Sequence, residues 1–372
     1  MKEEMIVTPW EVKGEIDYNK LIEEFGIKAI DEALLNRIKK HTKDLHYMLR
    51  RKIFFAHRDM NWILDEYEKG NKFFLYTGRG PSGKTHLGHL IPWLFTKWLQ
   101  DKFGAKLYFQ ITDDEKFLFK EKLSLEDVKN YAYDNILDII ALGFDPKKTF
   151  IFSDTEYAKT LYKEAIRVAK HVTYSTTKAV FGFKNDSNIG QIFFTSMQAV
   201  PAFLESLKAG KNVPCLIPLA VDQDPHFRIA RDVMPKLGYY KPAVIHSKFF
   251  PGLSTVQKMS SSQPFDTIFT TDTPDEIETK VMRAFTGQQA TKELQKRLGG
   301  NPDICAICQY YYFLFEPDDK KVEEIFEKEK KGKILAGEHK KDLAERVVKF
   351  LEEHHKKREK ARDMVEKFIL RD

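Results

Sequence analysis

Through the middle of the chain, short runs of β-branched and aromatic residues alternate with stretches whose apolar positions recur every three or four residues. The runs at residues 72–76, 106–112, 149–153, 213–221 and 242–250 predict strands. Between the first two, Leu87, Leu90, Ile91, Leu94, Phe95 and Trp98 share one face of a helix. Ser124 and Asp127 form a capping box for a helix through residues 130–141, which Gly143 closes. Another helical connection holds Arg231, Asp232, Val233 and Met234. Such alternation predicts an α/β protein with a doubly wound parallel, Rossmann-like sheet, whose ligands bind beyond the carboxyl ends of the strands. After Thr271 the helical period dominates, over residues 275–285, 292–298, 322–330, 340–354 and 358–370. The pattern divides the chain into an N-terminal appendage at residues 1–50, a Rossmann-like catalytic domain at 51–265 and an α-helical domain at 266–372.

Composition narrows the class. Over 372 residues, 42% are apolar and 31% charged, with both signs mixed, as in a globular chain. No apolar run reaches the length of a membrane span, and Met1-Lys2-Glu3-Glu4-Met5 lacks a signal-peptide core. Three cysteines, Cys215, Cys305 and Cys308, are too few for a disulfide framework. A cytoplasmic protein is expected. Cys305 and Cys308 have the spacing of a metal knuckle, yet no second Cys or His pair stands at a matching distance. The sequence therefore favours buried packing positions for them over a zinc site, and no metal ligands are expected. Net charge is +6, from 61 basic and 55 acidic residues, which permits a polyanionic partner without requiring one. The Lys/Arg clusters near residues 328–331, 340–341 and 354–358 read equally as a solvated helix face or a phosphate-contacting surface.

Two loops carry candidate chemistry. Gly78 to Thr85 matches G-x-x-x-x-G-K-[ST], in which Lys84 would reach phosphate and Thr85 would hold magnesium. The same stretch contains Pro81-Ser82-Gly83-Lys84-Thr85-His86-Leu87-Gly88-His89. His86 and His89 then stand on adjacent turns at a helix start, where free N–H groups attract phosphate, and Gly88 admits a close backbone approach. Far downstream, Lys258-Met259-Ser260-Ser261-Ser262 offers a lysine with small hydroxyl residues, able to fold over a triphosphate and neutralise charge that shifts at the α-phosphorus.

Together, in this order, the two loops resemble the HIGH and KMSKS signatures of class I aminoacyl-tRNA synthetases, with Ser261 where the family more often has a second lysine. The longer resemblance, from about Thr8 to the C-terminus, is to the tryptophanyl-tRNA synthetases of archaeal and eukaryotic type. It is carried by Asp17-Tyr18-Asn19-Lys20-Leu21-Ile22, Phe54-Phe55-Ala56-His57-Arg58-Asp59-Met60-Asn61, Tyr76-Thr77-Gly78-Arg79-Gly80-Pro81-Ser82, Thr112-Asp113-Asp114-Glu115-Lys116, Gly182-Phe183, Met197-Gln198-Ala199 and Asp222-Gln223-Asp224-Pro225-His226-Phe227-Arg228.

That resemblance implies a two-step reaction: tryptophan is activated by ATP, and the acyl group passes to the 3′ end of tRNA(Trp). Arg79, His86, His89 and Lys258 would serve the phosphates. Thr77, Gly78, Gly88, Asp222, Met259, Ser260, Ser261 and Ser262 would complete the ATP site, with Lys116 a weaker candidate. Tyr76 and Gln110 would read the indole nitrogen, while Glu115, Gln198 and Gln223 would face the amino group. For Gln110 the plain alternative is a hydrogen bond to a neighbouring loop. Mg²⁺ would arrive with ATP, no prosthetic group is implied, and the family implies a homodimer and an anticodon-reading helical domain. A tyrosyl enzyme would read a phenol partly with an aspartate, and residues 193–201 offer none. The rival readings are a Walker-type NTPase dependent on Lys84 and a non-enzymatic RNA-binding module.

Overall fold

The computed structural model describes residues 5–14, 16–254 and 258–372. Residues 1–4, part of the stretch expected to lack a signal-peptide core, lie outside that set. Among the described residues there are nine strands: β1 (Ile6–Val7), β2 (Val12–Lys13), β3 (Lys28–Ala29), β4 (Phe54–Arg58), β5 (Phe74–Arg79), β6 (Leu107–Ile111), β7 (Thr149–Ser153), β8 (Cys215–Ala220) and β9 (Ala243–Ser247). β1 and β2 form a small hairpin, and the other seven make one sheet of order β3-β4-β9-β8-β5-β6-β7. The five strands from β9 to β7 run parallel. β4 adds to β9 antiparallel, and β3 to β4 likewise.

Both faces of the sheet are buried, and the two-residue period assigns side chains to each. Leu75, Leu107, Phe109, Ile111, Ile151, Leu216 and Ile245 enter one apolar cluster. Phe74, Tyr76, Tyr108, Phe152, Ile217, Leu219 and Val244 enter the other. Strands covered on both sides read as continuous apolar runs, which is why five of the seven are visible in the sequence. β5 extends past the predicted end at residue 76. Thr77, Gly78 and Arg79 stay in register with Phe109, Gln110 and Ile111, and a Cβ on Gly78 would meet the Gln110 carbonyl at 3.1 Å. From β5 the chain winds outward through β6 and β7, then returns to lay β8 and β9 on the other side. That reversal opens a crevice between the carboxyl ends of β5 and β8.

The capping box at Ser124 and Asp127 opens helix Leu125–Ala141. Beyond the sheet come helices Pro274–Met282, Lys292–Leu298, Ala306–Tyr310, Asp319–Lys330 and Ala336–Ala361. The stretches expected at 340–354 and 358–370 are therefore one long helix followed by the short turn Arg362–Lys367. His354 Nε2 meets Asp138 Oδ1 at 2.9 Å, which ties that helix to Leu125–Ala141. The apolar core runs without a break across residue 265: Ile277, Val281, Tyr310, Leu343 and Leu351 share a cluster with Leu87 and Phe109. The N-terminal stretch is packed as well. Leu21 and Ile27 cluster with Phe55, Val221 and Phe249, and the Tyr18 hydroxyl accepts from Phe249 N at 3.0 Å. No helix among the described residues is long and apolar enough to cross a membrane.

Candidate active site

The crevice at the β5/β8 reversal opens into a cavity of about 380 Å³. Its wall gathers Tyr76, Thr77, Gly78, Arg79, His86, Gly88, His89, Glu115, Lys116, Gln198, Asp222, Gln223, Lys258, Met259, Ser260 and Ser261. Of the residues expected to serve ATP or tryptophan, only Gln110 and Ser262 stand outside it.

Helix Leu87–Phe103 starts at the floor of the cavity, with His86 as its N-cap. His86 N donates to His89 Nδ1 at 3.1 Å, and the two rings stack with centroids 3.6 Å apart. A Cβ on Gly88 would meet the His86 ring at 3.1 Å, so glycine gives that ring its place. Burial, reinforced by the Arg79 charge, pushes both imidazoles well below the usual histidine range. They are neutral and can serve phosphate as hydrogen-bond donors. Arg79 beside them is buried, its Nε donating to Asn135 Oδ1 at 2.9 Å. Burial draws its pKa down to about 10, so it remains a cation near neutrality.

The second loop is pinned to the first through backbone. Leu87 N donates to Ile268 O at 3.1 Å, and Thr270 N to Thr85 O at 2.9 Å. Met259 N donates to Phe250 O at 2.9 Å. Lys258 Nζ then lies 2.5 Å from Asp222 Oδ2, with about a third of its side chain exposed. The position of Asp222 is itself well supported. Two residues on, the fully buried Asp224 accepts from His246 Nε2 at 2.7 Å and from Arg58 Nε at 2.8 Å. Burial alone would raise that carboxyl, but these donors hold it well below the carboxylate range.

At the far end a chain of polar groups closes the cavity. The Tyr76 hydroxyl donates to Gln110 Oε1 at 2.5 Å and accepts from Gln198 Nε2 at 2.6 Å. Gln110 Nε2 donates to both oxygens of Asp154, at 2.8 and 2.9 Å. Gln110 thus stands behind Tyr76 and fixes it, and its own amide is occupied by Asp154. That contact is of the kind the plain alternative anticipated. Glu115 Oε1 accepts from Lys116 Nζ at 2.6 Å, and Oε2 accepts from Thr112 Oγ1 at 2.6 Å. Burial raises its pKa, yet Lys116 more than offsets this and the carboxylate stays below its ordinary value.

Trp10 and His226 are among the wall residues that the sequence does not mark as site residues. Trp10, from the β1–β2 hairpin, stacks on Phe119 with centroids 4.4 Å apart and donates to Glu115 Oε1 at 3.1 Å. No local pattern marks a tryptophan that closes a pocket more than a hundred positions away. His226 also lines the cavity, with burial lowering its pKa to about 4; it lies inside the Asp222–Arg228 block, which was the available signal. By contrast, Lys84 is exposed and absent from the wall. The helix begins after Thr85, so the Walker arrangement is not formed. The carboxylates on the wall are dispersed, Glu115 engaged by Lys116 and Asp222 by Lys258; they do not fit a resident metal.

Comparison with known proteins agrees along nearly the whole chain. The model of the tRNA synthetases of class I (W and Y) matches residues 68–352. The tryptophan–tRNA ligase of Pyrococcus furiosus is 54% identical over 99% of this chain and 94% of that protein. The crystal structure of Plasmodium falciparum tryptophanyl-tRNA synthetase superposes with a TM-score of 0.89 at 42% identity, covering 95% of this chain and 97% of that one. The structure of the Encephalitozoon cuniculi enzyme bound to tryptophan gives 0.87 at 39% identity, covering 96% and 98%.

Proposed function

The chain belongs to the class I tRNA synthetases for tryptophan and tyrosine, and on that premise we propose how its cleft activates L-tryptophan with ATP and charges tRNA(Trp). The tryptophan carboxylate attacks the α-phosphorus, the bond to pyrophosphate breaks, and tryptophanyl-adenylate remains. The terminal ribose hydroxyl of the tRNA then takes the acyl group and AMP leaves. Neither step requires a protein nucleophile, so the enzyme contributes position and charge stabilisation.

The observation that carries this reading is the convergence of the His86/His89 helix start and Lys258 on one cavity that ends at Tyr76 and Gln198. His86 and His89 donate to phosphate oxygens as neutral groups, while Arg79 and Lys258 supply positive charge. Gly78, Thr77 and Gly88 permit the nucleotide to approach the backbone, and Ser260, Ser261 and Ser262 support the lysine loop with Met259. Asp222 holds Lys258 until phosphate replaces it. At the other end, the Tyr76 hydroxyl keeps one lone pair free for the indole N–H, because it donates to Gln110 and accepts from Gln198. Glu115, Gln198 and Gln223 receive the ammonium. Magnesium comes bound to ATP, since the dispersed carboxylates offer it no cage. The reaction needs no prosthetic group, and the enzyme works in the cytoplasm as a homodimer, its C-terminal helices reading the anticodon.

ATP–pyrophosphate exchange tests the proposal when run with tryptophan, with tyrosine and without amino acid. Exchange only with tryptophan is expected. Exchange with tyrosine would transfer the chain to the sister specificity, and ATP turnover without amino acid would overturn the reading.

A further inference from the structure

Away from the cleft, the C-terminal helices bring together a second set of chemically distinctive side chains. Cys305 caps helix Ala306–Tyr310, and Cys308 follows one turn later. His339 projects from helix Ala336–Ala361, and Glu329 from helix Asp319–Lys330. One ligating atom from each of Cys305, Cys308 and His339 lies within 4.8 Å of the other two, and all three residues are buried. The two cysteines are separated by the spacing noted in the sequence; their missing partner comes from a different helix.

Three features make this cluster poorly suited to remain without a cation. Neither ring nitrogen of His339 has a hydrogen-bond partner, although the ring is buried. Its Nδ1 lies 3.4 Å from Glu329 Oε2, close but without the alignment of a hydrogen bond. Glu329 is fully buried; Oε2 accepts from Gln288 Nε2 at 2.8 Å, while Oε1 is unpartnered. Among the described residues, no lysine or arginine forms an ion pair with it. A buried carboxylate without a cation is costly, and so is an imidazole with two idle nitrogens.

We propose that Cys305, Cys308 and His339, with Glu329 completing the shell, bind one structural Zn²⁺ that fastens three C-terminal helices together. The donor set is right for zinc, which takes thiolate, imidazole and carboxylate in tetrahedral sites. Zn–S bonds of about 2.3 Å and Zn–N bonds of about 2.1 Å place donors roughly 3.5–3.8 Å apart. The atoms of Cys305, Cys308 and His339 reach that spacing by closing about 1 Å, and Glu329 Oε2 already stands 3.4 Å from His339 Nδ1. Burial and a full shell leave no open position for substrate, so the role is structural. Binding draws protons from both thiols and supplies the charge that Glu329 lacks. Tyr311, stacked on His339 with centroids 5.4 Å apart, holds the imidazole plane from the side.

The test is metal analysis of the full chain, expressed with zinc and purified in reductant without chelator. About one zinc per chain is expected in the wild type, falling below about a tenth in Cys308→Ser and His339→Gln. Zinc-stripped wild type should also take up Co²⁺ with the near-ultraviolet absorption of cobalt–thiolate bonds, and lose that band when zinc is added. This second measurement holds even if the variants fail to fold. A folded wild-type chain with no zinc above background and no cobalt band would overturn the proposal. So would a Cys305–Cys308 disulfide in freshly purified protein. Tryptophan-dependent exchange is read separately, so failure of the zinc site leaves the assignment of the cleft standing.

Discussion

The two walls of the cavity are held in opposite ways. His86 and His89 are stacked, desolvated and locked to the helix start by a backbone N–H. Lys258 stands a third exposed, held at its tip by Asp222. One wall is built in advance, and the other depends on an ion pair that phosphate can replace. Stabilisation of a transition state works best from groups already in place. A cation held by an exchangeable ion pair can add its charge to the phosphate once the substrate has arrived. The contrast predicts how damage to each wall will show.

The largest effect should come from Lys258→Ala. Removing a cation from the shifting phosphate charge is expected to lower tryptophan-dependent exchange by about 10²–10³-fold. Asp222, buried beneath it, loses its cation, so the thermal midpoint should fall in this variant too; adding Asp222→Asn should restore the midpoint without restoring exchange. Lys84→Ala, on the exposed side of the same loop system, should leave exchange within about twofold, as exposed substitutions do. Equal losses in the two variants would return phosphate binding to the Walker lysine and dissolve the contrast.

His89→Ala attacks the prebuilt wall. It removes the acceptor for His86 N and the ring that stacks on His86. An unpaired buried N–H costs about 1–3 kcal/mol, so the chain should melt earlier as well as lose activity. Exchange is expected to fall by roughly tenfold to a hundredfold, with one imidazole still donating. If His89→Ala lost activity with an unchanged midpoint, the packing of the two rings would not be what holds this wall in place.

The same asymmetry explains what could be read from the chain alone. Strands buried on both faces announce themselves as apolar runs, and β7 agrees with its predicted limits at residues 149–153. β3, two exposed residues at the sheet edge, carries no such signal. The short buried strand β4 was noticed only as a block of resemblance, because five residues of mixed character do not establish a period. The two loops proposed to hold phosphate were legible because each is contiguous. Trp10 was not, since its contact with Glu115 crosses the fold. Gln110 shows a subtler limit: the sequence leaves it a choice between the indole and a neighbouring loop, and only the fold shows its amide taken by Asp154 and its carbonyl by Tyr76. His339 repeats the lesson at the other end, where Cys305 and Cys308 lacked a visible partner until the helices were packed.

The smallest effect concerns the polar support behind Tyr76, and it concerns stability rather than rate. Burial, together with the neighbouring Asp113 and Glu115 charges, pushes the Asp114 pKa up to about 7. Asp154 beneath Gln110 is raised as well, by burial and by Asp114. An unfolded aspartate titrates near 3.9. Between about pH 4 and 7 the folded state therefore holds more protons than the unfolded state, and stability falls as pH rises through that window. Asp114→Asn keeps the shape and removes the titration. The difference in thermal midpoint between wild type and variant should drift against the wild type from pH 4 to pH 7, then level off above it. Exchange at pH 7.5 should change by no more than about twofold, because the group does not line the cavity. A pH-independent difference would mean that Asp114 is ionised in the fold, and that the support behind Tyr76 is charged.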